Sequence, residues 1–181
     1  MIQSAALLMR ERGVDGTSFS EVLAHSGAPR GSIYHHFPGG KAQLVEEATA
    51  FGGEFIAGGW AAALQGDDPT AVVDAFLAFF VPVLEESDYT AGCPVVAGGL
   101  EGQRTPAARD AAGAAFKHWE LLLAESLERR GVAEQRARSV ATTSVAAMEG
   151  AIILARAQRS SGPLERVASE LRVLIRASLS S

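Results

Sequence analysis

Residues 16–48 read GTSFSEVLAHSGAPRGSIYHHFPGGKAQLVEEA, and their punctuation marks out short helices followed by the start of a long one. Ser18 and Glu21 stand at capping-box spacing, in which a hydroxyl and a carboxylate each satisfy a backbone amide that the first helical turn leaves free. A helix is expected from Phe19 to Ser26. Gly27 stops it, because a residue without Cβ enters the left-handed cap conformation cheaply. Pro29 suits a first helical turn, so a third helix is expected from there, carrying Arg30 to Phe37 before Pro38, Gly39 and Gly40 break it. Ile33 and Phe37, four apart, share one face as inward anchors and leave small and polar residues on the other.

Outward from this stretch the periodicity is helical nearly everywhere. Upstream, Ile2, Ala5, Ala6 and Met9 form one stripe that ends at Gly13. Downstream, a long helix starts at Lys41 and runs through Leu44, Ala48, Phe51, Phe55 and Trp60 to a stop at Asp67, Asp68 and Pro69. A second takes Val72, Phe76, Phe79, Phe80 and Val83 to about Ser87, and the glycine-rich Cys93 to Glu101 stretch reads as a short helix. Phe116, Trp119, Leu123 and Leu127 lie on one stripe of a helix from Pro106 to Arg130, closed by Gly131. The last two helices are expected over 134–159 and 163–179. Alternating β-branched runs bounded by turn pairs are almost absent, so the fold class is all-α. The organisation expected is a three-helix head over 1–45, with its motif at 18–37, and a larger helical body over 46–181.

Apolar residues are 48% and charged residues 20% of the 181, ordinary soluble values, and no run approaches about 18 uninterrupted apolar residues. The opening lacks a basic leader and a cleavage site, so a cytoplasmic protein is expected. Cys93 is the one cysteine, which excludes an internal disulfide framework and any multi-thiolate zinc site. It precedes Pro94 without a local His or Asp partner, and reads as a small buried hydrophobe rather than a nucleophile. His35 and His36 are adjacent and point about 100° apart on a helix, so they do not chelate one metal as an i, i+4 pair does. No metal and no cofactor is expected. The G-x-S-x-G elbow, the P-loop and the dinucleotide fingerprint are all missing from the sequence, so an enzyme is not expected.

Two short helices joined by a glycine-containing turn can set the second in a DNA major groove while the first braces on the backbone. The net charge of −5 argues against a polyanion partner at first sight. The distribution softens this: Arg10, Arg12, Arg30 and Lys41 against Glu11, Asp15 and Glu21 leave +1 on residues 1–41. Arg30, at the start of the expected third helix, can reach a guanine edge or a phosphate, and Ser32, Tyr34 and His35 can bond to phosphate oxygens or bases. The quoted stretch closely resembles the TetR-type helix-turn-helix signature: a glycine turn, a small-residue recognition helix, a tyrosine, an aromatic, and a lysine opening the fourth helix. The likeness covers residues 2–48. The PGGK form, together with GCPVVAGGLE at 92–101, is similar to the branch that includes lincomycin-resistance repressors. The resemblance implies a homodimer on a near-palindromic operator, released when a small hydrophobic effector enters the body. By motif position it implies phosphate contacts from Ser18, Tyr34 and Lys41, with Arg30, Gly31, Ser32 and His35 facing the groove. Family members usually carry a basic arm before the position of Ile2; an upstream extension bearing Lys or Arg is expected to tighten binding through added phosphate contacts.

In the body, Trp60, Phe76, Phe80, Phe116 and Trp119 lie on helix stripes, where aromatics are more often core than ligand contacts. The resemblance adds an apolar effector pocket, with Val96, Leu100, Glu101 and Met148 as further lining candidates. Leu164, Leu171 and Leu174, with Ile175 beside them, follow heptad-like spacing, as do Val145, Met148 and Ile152 in the preceding helix. The family's last two helices form a four-helix bundle between subunits, so dimerisation is expected there. Two rival readings stand beside the regulator: an all-α small-molecule binding protein that has lost DNA affinity, and a helical interaction module without a small ligand.

Overall fold

The computed structural model describes residues 1–101 and 105–180, which form nine α-helices and no strand among the described residues. Helix α1 (Ile2–Arg12) ends at Gly13, whose φ of 72° lies where a Cβ is disfavoured. Helix α2 (Phe19–Ser26) carries the full capping box, and Gly27 closes it in the left-handed conformation. Helix α3 (Ser32–His36) starts later than the sequence reading placed it. Pro29 does not open this helix: its carbonyl accepts from both the amide (3.0 Å) and the hydroxyl (2.7 Å) of Ser32, a turn that holds Arg30 and Gly31 outside the helix. The long helices are α4 (Gly40–Ala63), α5 (Ala71–Glu86), α7 (Pro106–Glu128), α8 (Glu134–Gln158) and α9 (Gly162–Ser178), with the short α6 (Pro94–Gly99) between α5 and α7.

The chain divides into two compact units. The first comprises Met1–Phe55 and Ala91–Ala115, so α6 and the beginning of α7 pack with the helix-turn-helix. Its core is Leu8, Met9, Val14, Val22, Ile33, Phe37, Leu44 and Val45 with small alanines between them. Fully burying each of the larger side chains is worth about 1.5–3 kcal/mol over leaving it in water. The glycines of α4 and α6 allow close approach in this unit. A Cβ on Gly52 would stand 2.7 Å from Pro94 Cγ, and one on Gly98 would stand 2.3 Å from Thr49 Oγ1. This corrects the expected stripe of α4: Phe51 and Phe55 are exposed, and the buried face runs through Gly52 and Gly53 instead.

The second unit comprises Ile56–Thr90 and Phe116–Ser181, with α8 and α9 packed along each other and both against α5. Helix α8 is, among the described residues, the one helix long and apolar enough to cross a membrane by length and composition, with a mean hydropathy of 1.3. Within the unit its apolar side chains Val145, Met148 and Ile152 are buried.

Candidate nucleic-acid interface

The capping box decides how α2 begins. The Ser18 amide donates to Glu21 Oε2 (2.9 Å), the Ser18 hydroxyl donates to the same oxygen (2.7 Å), and the Glu21 amide donates back to Ser18 Oγ (3.3 Å). Arg12 of α1 closes the arrangement through a 3.0 Å ion pair to Glu21 Oε1. The two bonds from Ser18, and after them the charge of Arg12, hold the Glu21 carboxyl below the usual glutamate range. Ser18 is thus committed to the helix start, and the proton of its hydroxyl already points at Glu21.

Ile33 and Phe37 are buried, as an anchoring stripe requires, and this turns Tyr34, His35 and His36 outward. Tyr34 is 72% exposed, and its ring meets Phe19 edge to face at a centroid distance of 6.0 Å, which ties α3 to α2. His35 and His36 stack edge to face at 5.5 Å. Arg30 and Gly31 are exposed in the turn before α3, and Ser32 is half-buried at its first position. Lys41, at the start of α4, donates from Nζ to the Asp15 carbonyl at 3.4 Å. Ser18, Arg30, Gly31, Ser32, Tyr34, His35 and Lys41 therefore all fall in the first unit, and of the five at 30–35 Arg30, Gly31, Tyr34 and His35 are exposed while Ser32 is half-buried.

Between α2 and α3 lies a groove of about 550 Å³ that the motif did not mark. Phe19, Leu23, Ala24, Ala28 and Ile33 give it apolar walls, and Ser20, Arg30 and Tyr34 bring polar groups.

The expected effector contacts fall into separate groups. Trp60 and Trp119 meet at 5.8 Å and Phe116 meets Trp119 edge to face at 5.3 Å. Phe76 and Phe80 pair at 5.2 Å. Trp60, Phe76, Phe80, Trp119 and Met148 are buried in the second unit, whereas Val96 and Glu101 are half-buried in the first. Leu100, also among the lining candidates, is 80% exposed as the C-cap of α6.

The expected dimerisation residues divide by burial. Val145, Met148, Ile152, Leu164, Leu171 and Ile175 are each at most 6% exposed in the single chain. They belong to the buried faces of α8 and α9, and of the expected set Leu174 alone is half-buried. It lines a surface groove of about 400 Å³ with Thr143, Ala147, Val167 and Glu170. Ile153 and Leu154 of α8 and Val173 of α9 are among the exposed apolar residues.

Residues 1–48 match the family described as bacterial regulatory proteins, tetR family, and residues 69–170 match the description transcriptional regulator LmrA/YxaF-like, C-terminal domain. An uncharacterized HTH-type transcriptional regulator of Mycobacterium tuberculosis is 40% identical over 99% of this chain and 94% of its own length. The HTH-type transcriptional regulator LmrA of Bacillus subtilis is 32% identical over 93% of this chain and 91% of its own. Among solved structures, a TetR transcriptional regulator from Chloroflexus aurantiacus superposes with a TM-score of 0.71 at 28% identity, covering 97% of this chain and 91% of that one. The regulatory protein TetR from Rhodobacter sphaeroides reaches a TM-score of 0.81 at 20% identity, covering 94% and 95%, and shares the fold.

Proposed function

Since the chain belongs to the TetR family of transcriptional regulators, in its LmrA/YxaF-like branch, we propose that it is a cytoplasmic repressor released from its operator by a small hydrophobic effector. The observation that carries this reading is the set of exposed residues Arg30, Gly31, Tyr34 and His35, backed by the buried anchors Ile33 and Phe37 beside a fully formed capping box on α2. A helix held this firmly can present donors to base edges without losing much side-chain freedom on binding. Lys41 and Tyr34 supply phosphate contacts at its two sides, and these set register rather than sequence.

A homodimer would place two such helices about 34–36 Å apart, one helical turn of DNA, on a near-palindromic site. The face of α8 and α9 carrying Ile153, Leu154, Val173 and Leu174 serves as the dimer surface. The aromatics of the second unit supply an apolar environment for the effector, with the buried Trp60 and Trp119 and the half-buried Phe116 as its wall. An effector then acts by favouring a separation of the heads that no longer matches the half-sites.

The test is a band shift of the full chain on the DNA upstream of its own gene, repeated with every compound that raises its thermal midpoint. Retardation that disappears with at least one stabilising compound is the expected result. A chain that is stabilised by ligands but never retards DNA is instead a binding protein. Retardation that no stabilising ligand alters overturns the release mechanism.

A further inference from the structure

The groove between α2 and α3 has an apolar part of its lining, here called its floor, beside the polar side chains of Ser20, Arg30 and Tyr34. The half-buried Leu23 and the exposed Ala24 of α2 and the half-buried Ala28 of the turn contribute methyl and methylene surface, while Ile33 of α3 is wholly buried. A phosphate oxygen or an exocyclic amine pressed onto such a surface would lose its water and gain no partner. Base pairs display one apolar group in the major groove, the C5-methyl of thymine. We infer that the floor of this groove receives the methyl of an operator thymine, which makes Ala24 and Ala28 specificity-determining residues although neither belongs to the exposed segment of α3. The inference rests on the DNA-reading function proposed for the same face. The groove is continuous with that face through Arg30 and Tyr34, which line both, and Arg30 places a positive charge on the rim where the approaching strand is negative. Alanine suits the two positions: its side chain is short enough to leave the floor open, and it carries no hydroxyl that would hold a water there.

The experiment starts from duplexes that the full chain selects from a random library. The consensus duplex is titrated by fluorescence anisotropy at fixed salt, and each thymine is replaced in turn by 2′-deoxyuridine, which removes the methyl and nothing else. At one thymine in each half-site the replacement should weaken binding roughly fourfold, the worth of one buried methylene-sized group. In Ala28→Ser and Ala24→Ser that difference should shrink toward none, because a hydroxyl on the floor destroys its preference for a methyl. Uridine duplexes that all bind as tightly as their thymine parents would overturn the inference, since a floor packed on deoxyribose reads no base. A methyl effect that survives unchanged in both serine variants would overturn it too. The uridine series on the unaltered chain stands whether or not a variant folds. If the library yields no retained duplex, the DNA-reading function has itself failed, an outcome distinct from the other two.

Discussion

Glu21 shows how one carboxylate can hold a helix in place for binding. Its Oε2 accepts from the amide and hydroxyl of Ser18, and its Oε1 pairs with Arg12. Ser18 is the residue that the family resemblance marks as a phosphate contact, yet its hydroxyl proton is already given to Glu21. Its first role is the cap, and Ser18→Ala should lower stability by about 1 kcal/mol, measured by denaturant unfolding, before any effect on DNA is considered. The Glu21 carboxyl titrates below the ordinary glutamate value because these bonds favour its charged form. Its stabilising effect is therefore complete above about pH 4.3, the ordinary glutamate value, and is lost as pH falls through the lowered one. The helical signal of the head should fall on acidification from pH 5 to pH 3, and Glu21→Gln should flatten that part of the profile. A profile identical in the variant would show that other carboxylates govern the acid limb. The cap was legible in the sequence because two residue types at one spacing suffice to define it. The start of α3 was not: Pro29 suits a first helical turn equally well as an acceptor for Ser32, and only the folded turn decides between them.

At the scale of the helix, legibility follows the strength of the apolar signal. Val145, Met148, Ile152, Leu164, Leu171 and Ile175 have the clearest periodicity in the last two helices, and a chain uses its best stripe to build its own core. What remains for a partner is the weaker pattern of Thr143, Ala147, Ile153, Leu154, Val173 and Leu174, a mixture of small, polar and isolated apolar residues. Helix α4 shows the same effect from the other side. Its conspicuous Phe51 and Phe55 are exposed, while the packed face passes through Gly52 and Gly53, which carry no hydropathy to read. The two stripes of α8 predict different failures. Ile153→Arg should weaken self-association by about tenfold or more, read by sedimentation equilibrium at micromolar protein, with helix content kept. Met148→Ala should instead cost about 2–5 kcal/mol of unfolding free energy through the cavity it leaves. Association unchanged by Ile153→Arg would remove this face from the dimer.

For the whole molecule the net charge of −5 sets how DNA is approached. Residues 1–41 hold +1 and the remainder −6, so the chain as a whole repels a phosphate backbone while its head does not. Within the head, Arg12 is engaged with Glu21, whereas Arg30 is exposed and Lys41 is tethered only through a backbone carbonyl. Arg30 and Lys41, two cations per head and four per dimer, are the ones proposed to displace counterions. Tyr34 and Ser18 can bond to phosphate without releasing any. Each neutralised phosphate contributes about −0.9 to the slope of log affinity against log salt, so a dimer should show a slope of roughly −3 to −4. Lys41→Ala, changed in both subunits, should make that slope shallower by about two and weaken all sequences alike; Arg30→Ala should also relax the choice of base at one position in each half-site. Anisotropy titrations between about 50 and 200 mM salt separate the two. A slope untouched by Lys41→Ala would take Lys41 off the phosphate backbone, and a slope far steeper than four contacts allow would mean that cations outside Arg30 and Lys41 carry the approach.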